Sequence, residues 1–411
     1  MSTSRRLPPI WLMGLTNLPF GLTAGFCLVP VPQMLAAQGI PGEQIAAITS
    51  GILSPAFWAF AFSPLLDVRL SRRRYALLFG ALSAVSVAFT VLHHERPGLV
   101  ETVMIAGMAC AMMYQGAVGG WMGSLIDRRQ DGRLGTWFAV ATTGAYGLMM
   151  LLSGEIIHRF PPIAAAALMG SLVAVSMLLF LTIPAPGPDR LLARESFGRF
   201  GREIGLMLKQ RDVLIALALF MLPAASFALT DVLGGWGKDF NASEHTVSLF
   251  AGAGSVAAGL AGSFALYPLS SRFALRPLYL GVGVVGALFT LSLLLLPHEP
   301  WAFGLVITGE NLFQALSFAT SNAITFEVIG PDNPLAATIF TVLVAATNLP
   351  IVYMTFLDGR GYARNGLAGS YLTDAGVSIA ACVLLAYVLR RWSANRRSAA
   401  ATLNAIPESA E

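Results

Sequence analysis

The feature that most constrains this chain is a series of twelve apolar runs with few or no charges. A helix needs about 20 apolar residues to cross the roughly 30 Å hydrocarbon core of a bilayer. Only 12% of the 411 residues are charged, against about a quarter in soluble domains. The sequence therefore predicts an all-α polytopic membrane protein with twelve transmembrane helices, at roughly residues 8–36, 43–66, 75–92, 100–126, 134–154, 161–183, 213–234, 244–268, 277–296, 301–327, 334–357 and 367–389.

A basic segment divides the runs into two sets of six. Two similar stretches, Pro64-Leu65 and Pro268-Leu269, lie 204 residues apart, about half the chain, which indicates an internal duplication. We therefore predict an N-terminal half, a cytoplasmic basic linker, a C-terminal half and a disordered cytoplasmic tail, at residues 1–183, 184–212, 213–389 and 390–411 respectively.

The basic residues indicate the orientation of the chain. Short loops rich in Lys and Arg stay in the cytoplasm. With the N-terminus inside, 21 of the 26 basic residues lie on the cytoplasmic side. An even number of helices then places both termini in the cytoplasm, and we predict a bacterial-type inner membrane protein. Because the net charge of +4 arises almost wholly from these loops, we expect no nucleic-acid partner.

The most basic short loop follows the second run and holds Asp67 with Arg69, Arg72 and Arg73. A carboxylate beside a helix end and several arginines can form charge-assisted hydrogen bonds that hold one conformation. We expect this turn to act as a conformational latch. The alternative is that Asp67 only ends the helix and helps the chain to insert.

The two sets of runs, the basic central segment and the Asp67 turn together resemble the major facilitator superfamily over residues 8–389. Residues 60–67, FAFSPLLD, are similar to the F-x-W-S-P-L-x-D stretch of the AmpG-type muropeptide permeases, a branch that includes acetyl-CoA and siderophore permeases. Glu310-Asn311-Leu312 resembles the E-N-L segment of that branch, and Gln115 stands where the branch carries Gln followed by Asp. The resemblance implies a central cavity lined by the first, fourth, seventh and tenth helices, with substrate near the midplane.

The chain departs from this branch where the branch carries charge within the membrane. Ala59 stands where the muropeptide permeases place a Lys, and Gly116 and Gly120 replace two carboxylates of their fourth helix. Charges in a membrane are tolerated chiefly when they pair or face water, so the loss of both signs together is electrostatically consistent. The substrate class therefore stays open.

The tenth run carries a polar stripe. Glu310, Gln314, Ser317 and Ser321 follow at i, i+4, i+7 and i+11, so they lie on one helix face. We favour a face that lines the cavity, and the alternative is a helix interface held by small and polar residues. Glu310 lies near the middle of the run, with no basic residue at that depth on any run. It is our candidate for proton coupling, and Asn311 beside it is a candidate for the cavity.

Three further residues are candidates for the substrate cavity: Asn17 in the first run, and Tyr114 and Gln115 in the fourth. A single Asn or Gln in a span can also serve as a hydrogen-bonding residue between helices. Asp231 follows 18 uncharged residues of the seventh run, a rise of about 27 Å along a continuous helix. We expect Asp231 at the outer rim, either solvated or as part of an outer gate.

These features favour a secondary active transporter that moves a medium-sized polar solute by alternating access, coupled to protons and acting as a monomer among membrane lipids. The solute would be a cell-envelope fragment, a siderophore or a related metabolite. An exporter of drugs or metabolites shares the predicted fold and is the first alternative.

A membrane-embedded enzyme is the remaining alternative. It would need a nucleophile and a base, or metal ligands, at one depth. The histidines lie in or beside loops, and Cys27, Cys110 and Cys382 are far apart in the sequence. We therefore expect no enzyme activity, no metal site and no cofactor.

Overall fold

A computed structural model describes residues 7–123, 125, 131–184, 192–329 and 335–404 of the chain. The described elements are helices, with no strand among them. Nine of the described helices are long and apolar enough to cross a membrane, judged by length and composition. The predicted class, an all-α polytopic membrane protein, is confirmed.

The first half consists of helices α1 to α6, at Ile10–Ala37, Gly42–Asp67, Arg72–Leu92, Pro97–Gly123, Asp131–Arg159 and Pro162–Thr182. Prolines shape the first two, since Pro removes a backbone donor and clashes with the preceding turn. The regular α-helix of α1 is interrupted before Pro19 and before Pro30. The last part of α2, Ala59–Asp67, is a tighter 3-10 helix that contains Pro64.

A short helix at Ala193–Met207, here called the linker helix, follows the first half. The second half then contains α7 to α10, at Arg211–Met221, Glu244–Ser270, Leu275–Leu295 and Pro300–Ile329. The last segment, Ala336–Asn404, leaves helical geometry at Asn365 and at Gly366, whose φ is 57°. Glycine adopts this left-handed conformation at little cost. The kink separates α11, at residues 336–364, from α12, at 367–404.

Three boundaries in the second half differ from those expected. The seventh run is helical only to Met221, because Pro223 lacks a donor and forces Leu222 into an extended conformation. α11 continues to residue 364 instead of ending at 357, so Asp358 lies inside it. The last helix continues past residue 389 to Asn404, so the first part of the tail that we expected to be disordered is helical. The Ala-rich sequence there favours helix. Residues 405–411 of that tail, and residues 185–191 of the linker, lie outside the described part.

The buried apolar residues form clusters that follow the two halves. One cluster takes its buried residues from 13–183 and a second from 207–385. A third cluster joins the halves, with Val29, Ala46 and Met150 from the first and Trp236 and Ile307 from the second. Between the halves, α2 packs against α11 and α5 packs against α8.

The two ends of the helix bundle carry different loops. The Asp67 turn and the linker helix meet at one end, here called the linker face, where Ser196 Oγ donates to the Pro64 carbonyl at 2.9 Å. Loops that follow α1 and α3 meet at the opposite end, here called the distal face, where Gln38 Nε2 donates to the His94 carbonyl at 2.6 Å.

Candidate functional site

Four acidic side chains are buried in the described part of the second half. The exposed fraction is 0% for Glu310 of α10 and Asp358 of α11, 2% for Asp374 of α12 and 5% for Asp231 after α7. Among the described residues, none of the four forms a salt bridge with a basic side chain. A buried, ionised and unpaired carboxylate is costly, so this environment favours the protonated form of each. Glu310 is therefore one of four acids in the interior of the described part of the chain.

Glu310 lies where α9, α10 and α12 meet. Its Oε1 accepts a hydrogen bond of 2.7 Å from Thr290 Oγ1 of α9, whereas Oε2 has no partner among the described residues. The carboxyl of Asp374 and the hydroxyl of Tyr371, both on α12, are near enough to interact with Glu310 electrostatically. In this conformation Glu310 faces the interior of the second half and is closed to water.

Asp358 and Asp374 lie where α11 and α12 approach closely. A Cβ atom on Gly361 would lie 2.5 Å from the Gly369 carbonyl oxygen, so the two backbones touch there. Ser370 Oγ donates to the Asp358 carbonyl at 2.8 Å, which holds Asp358 against the turn of α12 that precedes Asp374. In the described part of the chain, neither side-chain oxygen of Asp358 has a hydrogen-bond partner. Oδ1 of Asp374 has no hydrogen-bond partner there either.

Asp231, which we expected at the outer rim either solvated or as part of an outer gate, is buried rather than solvated. It lies in the 3-10 turn Ala228–Asp231, and Thr230 Oγ1 is 3.5 Å from its Oδ1. Leu229 and Val232 on either side belong to the apolar cluster that joins the halves. The rise of about 27 Å assumed a continuous helix, and the interruption after α7 shortens that path.

The polar stripe of α10 faces the interruption after α7. Gln314 Nε2 donates to the Phe227 carbonyl at 3.3 Å, and Ser317 Oγ donates to the Ala225 carbonyl at 2.7 Å. Within a membrane, carbonyls freed by a broken helix must find partners on neighbouring helices. In this conformation Gln314 and Ser317 therefore have the interhelical role that the sequence left open as the alternative.

Ser321 of the stripe and Asn311, next to Glu310, bond within their own helix. Asn311 Nδ2 donates to the Ile307 carbonyl at 2.7 Å, and Ser321 Oγ donates to the Phe318 carbonyl at 3.0 Å. Asn311 is half-buried and Ser321 is buried. Asn311 thus keeps its amide oxygen available for a ligand beside Glu310.

The first half supports its own interrupted helix in the same way. Tyr114 of α4 donates from its hydroxyl to the Thr16 carbonyl at 2.5 Å, at the first interruption of α1. Asn17 Nδ2 donates to Thr142 Oγ1 of α5 at 2.7 Å, and its Oδ1 has no partner among the described residues. Gln115 is half-buried. In each half, the fourth helix donates to a carbonyl where the first helix is broken.

Asp67 connects the first half to the linker helix. Arg72 Nη2 lies 2.6 Å from its Oδ1, and Arg199 Nη2 of the linker helix lies 3.2 Å from its Oδ2. Arg199 also lies 3.8 Å from Glu203, which accepts a hydrogen bond of 2.5 Å from Thr338 of α11. The linker helix therefore bridges both halves at the linker face.

The remaining arginines of the turn take other positions. Arg73 lies over the ring of Trp121, with 6.0 Å between its guanidinium carbon and the ring centre. Arg69 is exposed and has a left-handed backbone with φ 58°. The sequence did not identify Arg199 as the second partner of Asp67, because that contact requires the linker to fold back onto α2.

Contacts between the halves close the distal face. Arg360 Nε of α11 lies 3.4 Å from Glu43 Oε1 of α2, and Lys238 Nζ donates to the Ala36 carbonyl of α1 at 2.9 Å. His158 of α5 pairs with Glu244 of α8. The described conformation is therefore closed at the distal face.

Metal and cofactor chemistry finds little support in the described side chains. No group of three His, Cys, Asp or Glu residues among them is arranged as metal ligands. Cys27, Cys110 and Cys382 are free thiols, and Cys382 donates a hydrogen bond to the Ala224 carbonyl at the broken helix. The four buried acids can hold protons without any further group.

Asp358 and Asp374 are the residues that sequence reasoning missed as site candidates. Residues 358–366, DGRGYARNG, were expected to form a loop between two spans, whereas Asp374 was expected inside the twelfth span. A usable signal was present in Gly361 and Gly369, because small residues let membrane helices approach closely.

The comparisons with known proteins agree with this fold. Residues 13–334 match the Major Facilitator Superfamily, and no curated protein matches the sequence. The structure is similar to the nucleoside transporter NupG, at 15% identity and a TM-score of 0.70, over 92% of this chain and 98% of that one. It is also similar to a D-xylose-proton symporter, at 15% identity and a TM-score of 0.69, over 92% and 96%.

A POT family transporter in complex with 5-aminolevulinic acid is similar too, at 13% identity and a TM-score of 0.68, over 92% of this chain and 95% of that one. Identities this low show the fold alone. The superfamily expected from the sequence is confirmed, whereas the AmpG-type branch stays a prediction. Since the family match covers more than half of the sequence, the chain belongs to the Major Facilitator Superfamily and is a multi-pass membrane transporter.

Proposed function

We propose that the protein is a proton-coupled secondary transporter that moves a medium-sized polar solute across the inner membrane by alternating access. The burial of Glu310 without a basic partner in the described chain supports this most directly. A carboxyl in such a place is neutral while shielded and ionises when water reaches it. Coupling to a proton gradient requires this alternation.

The neighbours of Glu310 make its proton sensitive to conformation. With the distal face closed, Thr290 satisfies one oxygen of Glu310, and Asp374 opposes a negative charge on it. If α10 moves away from α9 and α12, water can hydrate the carboxylate and the proton can leave. Proton release is thus linked to a change in helix packing.

The groups available to the solute are neutral hydrogen-bonding side chains: Asn17, Tyr114, Gln115, Asn311, Gln314, Ser317 and Ser321. They suit a polar solute such as a cell-envelope fragment, a siderophore or a related metabolite, which the resemblance to AmpG-type permeases also favours. The similar structures include a D-xylose-proton symporter and a nucleoside transporter. Export of a cationic drug is the second candidate, because buried acids without a basic partner attract cations.

The linker face is the cytoplasmic face in this proposal, with both termini on that side. The excess of Arg and Lys at this face supports the assignment. The Asp67 turn then acts as a cytoplasmic latch through Arg72 and Arg199.

Uptake by proteoliposomes tests the proposal. Purified protein would be reconstituted with an inward proton gradient and offered labelled solutes: an anhydro-muropeptide, a ferric siderophore, a nucleoside, a sugar and a cationic dye. We expect one polar solute to accumulate only with the gradient. Glu310→Gln should reduce that accumulation at least about tenfold while solute exchange without a gradient persists, because Gln imitates the protonated acid.

Glu327→Gln is the matched control, since it makes the same change on the same helix in an exposed residue 3.7 Å from Arg276. It should transport at the wild-type rate. Gradient-driven accumulation by Glu310→Gln at the wild-type rate, with unchanged pH dependence, would show that Glu310 is a permanently protonated residue of the helix interface. Accumulation of the dye under a reversed gradient, with no uptake of polar solutes, would favour the exporter.

A further inference from the structure

We infer that Asp358 is a second proton-binding site, distinct from Glu310, and that its proton is required to close the distal face. This inference rests on the proposed proton coupling, because it adds a second carboxyl to that chemistry. It arises from three features of α11: an unpartnered buried carboxyl, an acidic surrounding and a set of gate contacts on the same two helical turns.

The first feature is the burial of the Asp358 side chain. Its exposed fraction is 0%, and neither oxygen has a hydrogen-bond partner among the described residues. The hydroxyl of Ser370 on α12 donates to the backbone carbonyl of Asp358 and not to its carboxyl. An ionised carboxylate would lack every compensating contact here, so the closed conformation requires the neutral acid.

The second feature is the set of charged and titratable groups on the elements around Asp358. They are Arg360 and Tyr362 on α11, Glu43 on α2, Asp231 and Asp239 after α7, Glu310 on α10, and Tyr371 and Asp374 on α12. Of the basic residues on these segments, Arg360 lies 3.4 Å from Glu43 and is turned to α2, Lys238 donates to the Ala36 carbonyl of α1 at 2.9 Å, and Arg364 is exposed. Asp374, Glu310 and Asp231 are near enough to interact with Asp358 electrostatically, and none of them offers it a positive charge.

The surrounding groups also narrow the choice of ligand. A bound metal ion needs several oxygen ligands at one point, and the described acids do not converge in groups of three. The hydroxyl of Tyr371, which is 3% exposed, is also unpartnered among the described residues and lies near Glu310. A proton needs only one carboxyl, so it is the cation that suits acids that do not converge on one point.

The third feature is the distal gate, defined here as the contacts of Gly359, Arg360 and Tyr362. Gly359 packs against Ala46 of α2 so closely that no Cβ atom would fit, and Arg360 pairs with Glu43 of the same helix. Tyr362 donates to Asp239 at 2.7 Å and stacks on Trp236 with 4.5 Å between ring centres. Residues 358–362 share one rigid stretch of helix, so the gate and the Asp358 carboxyl move together.

The link between proton and gate follows from these contacts. When the gate is closed, water does not reach the Asp358 carboxyl, and the carboxyl stays protonated. When α11 separates from α2, water reaches the carboxyl, which can then ionise and release the proton. A rise in pH should therefore favour the open gate, and a fall in pH should favour the closed one.

The test measures gate opening directly and needs no solute. Spin labels would be attached at Gln44→Cys and Ala363→Cys, both exposed positions beside the gate, in protein in lipid nanodiscs with half-buried Cys110 replaced by Ala. Electron-electron distance distributions would be recorded across a pH series. The ratio of open to closed molecules should rise by about tenfold per pH unit for each proton that opening releases.

Asp358→Asn keeps the volume of the side chain and imitates the protonated acid. In this variant the open-to-closed ratio should rise about tenfold less per pH unit than in the wild type, because opening releases one proton fewer. Glu155→Gln removes an exposed acid that pairs with Arg159 at 2.7 Å and should behave as the wild type. A wild-type ratio that does not change with pH, or a variant with the full wild-type slope, would overturn the inference.

The two proposals can fail separately. If gradient-driven uptake is absent but the gate still titrates through Asp358, the proposed transport function is wrong and the proton-dependent gate stands. If uptake depends on Glu310 but the open-to-closed ratio of the wild type does not change with pH, the transport function stands and the proposed role of Asp358 is wrong. The wild-type titration also tests the inference should Asp358→Asn fail to fold.

Discussion

The two halves of this transporter share a construction but differ in charge. In each, the fourth helix donates a hydrogen bond where the first helix is broken, through Tyr114 to Thr16 and through Ser317 to Ala225. The described part of the first half buries hydroxyls and an amide but no acid, whereas the second half buries four carboxyls.

The hydrogen bonds at the broken helices, which both halves share, therefore explain folding. The buried acids, which only the second half has among the described residues, point to function. A broken membrane helix must satisfy its carbonyls in either half, so hydrogen-bond donors recur in both. Buried acids satisfy no such need and reduce stability, which is why they mark functional sites in membrane proteins. We expect proton chemistry to reside in the second half, while the first half supplies neutral groups such as Asn17 and Gln115.

The largest effect should come from neutralising three of the four acids that the described part of the second half buries. We predict that a variant with Glu310→Gln, Asp358→Asn and Asp374→Asn loses most of the pH dependence of thermal unfolding in detergent. The folded chain keeps these carboxyls protonated, whereas the unfolded chain ionises them at neutral pH. Unfolding therefore releases protons, and wild-type stability should fall with rising pH by up to about 1.4 kcal/mol per unit for each carboxyl.

Melting temperatures across the neutral pH range check this prediction. The curve of the triple variant should be nearly flat and should lie above that of the wild type at alkaline pH. Glu155→Gln in the first half should follow the wild type. A triple variant that follows the wild-type curve would mean that the buried acids do not differ from exposed ones.

An intermediate effect on stability should come from removing the hydrogen bonds at the broken helices. Tyr114→Phe and Ser317→Ala each remove the hydroxyl that satisfies a carbonyl at a helix break. Each should destabilise the protein by about 1 to 3 kcal/mol, the cost of a buried unpaired carbonyl. Denaturation in detergent would measure both, and a loss in only one half would show that the two breaks are not equivalent.

The smallest effect on stability should come from the linker face. Arg199→Gln breaks a half-exposed ion pair with Asp67, and such pairs contribute less than about 1 kcal/mol. Asp67→Asn should slow transport while solute binding stays nearly intact, because the latch acts on the conformational change. Arg74→Gln is the control, since Arg74 is exposed. Transport by Asp67→Asn at the normal rate would leave Asp67 as a helix stop alone.

The sequence predicts the apolar runs, the Asp67 turn and the polar face of α10, because each depends on local pattern and charge. It predicts less well what depends on tertiary packing. Asp231 was placed at a rim because the apolar run hides the break that Pro223 introduces. Asp358 was missed because charges and glycines resemble a loop until α12 packs against α11. Arg199 was missed because its partner lies 132 residues away.

The most direct test of proton binding in the second half is infrared difference spectroscopy of the purified protein in lipid, recorded between acidic and alkaline buffer. Protonated carboxylic acids have a carbonyl stretch that disappears on ionisation. We predict that the wild type loses this signal as pH rises and that Glu310→Gln and Asp358→Asn each remove a different part of it. A wild-type spectrum without a titrating acid carbonyl, or one that both second-half variants leave unchanged, would contradict the account.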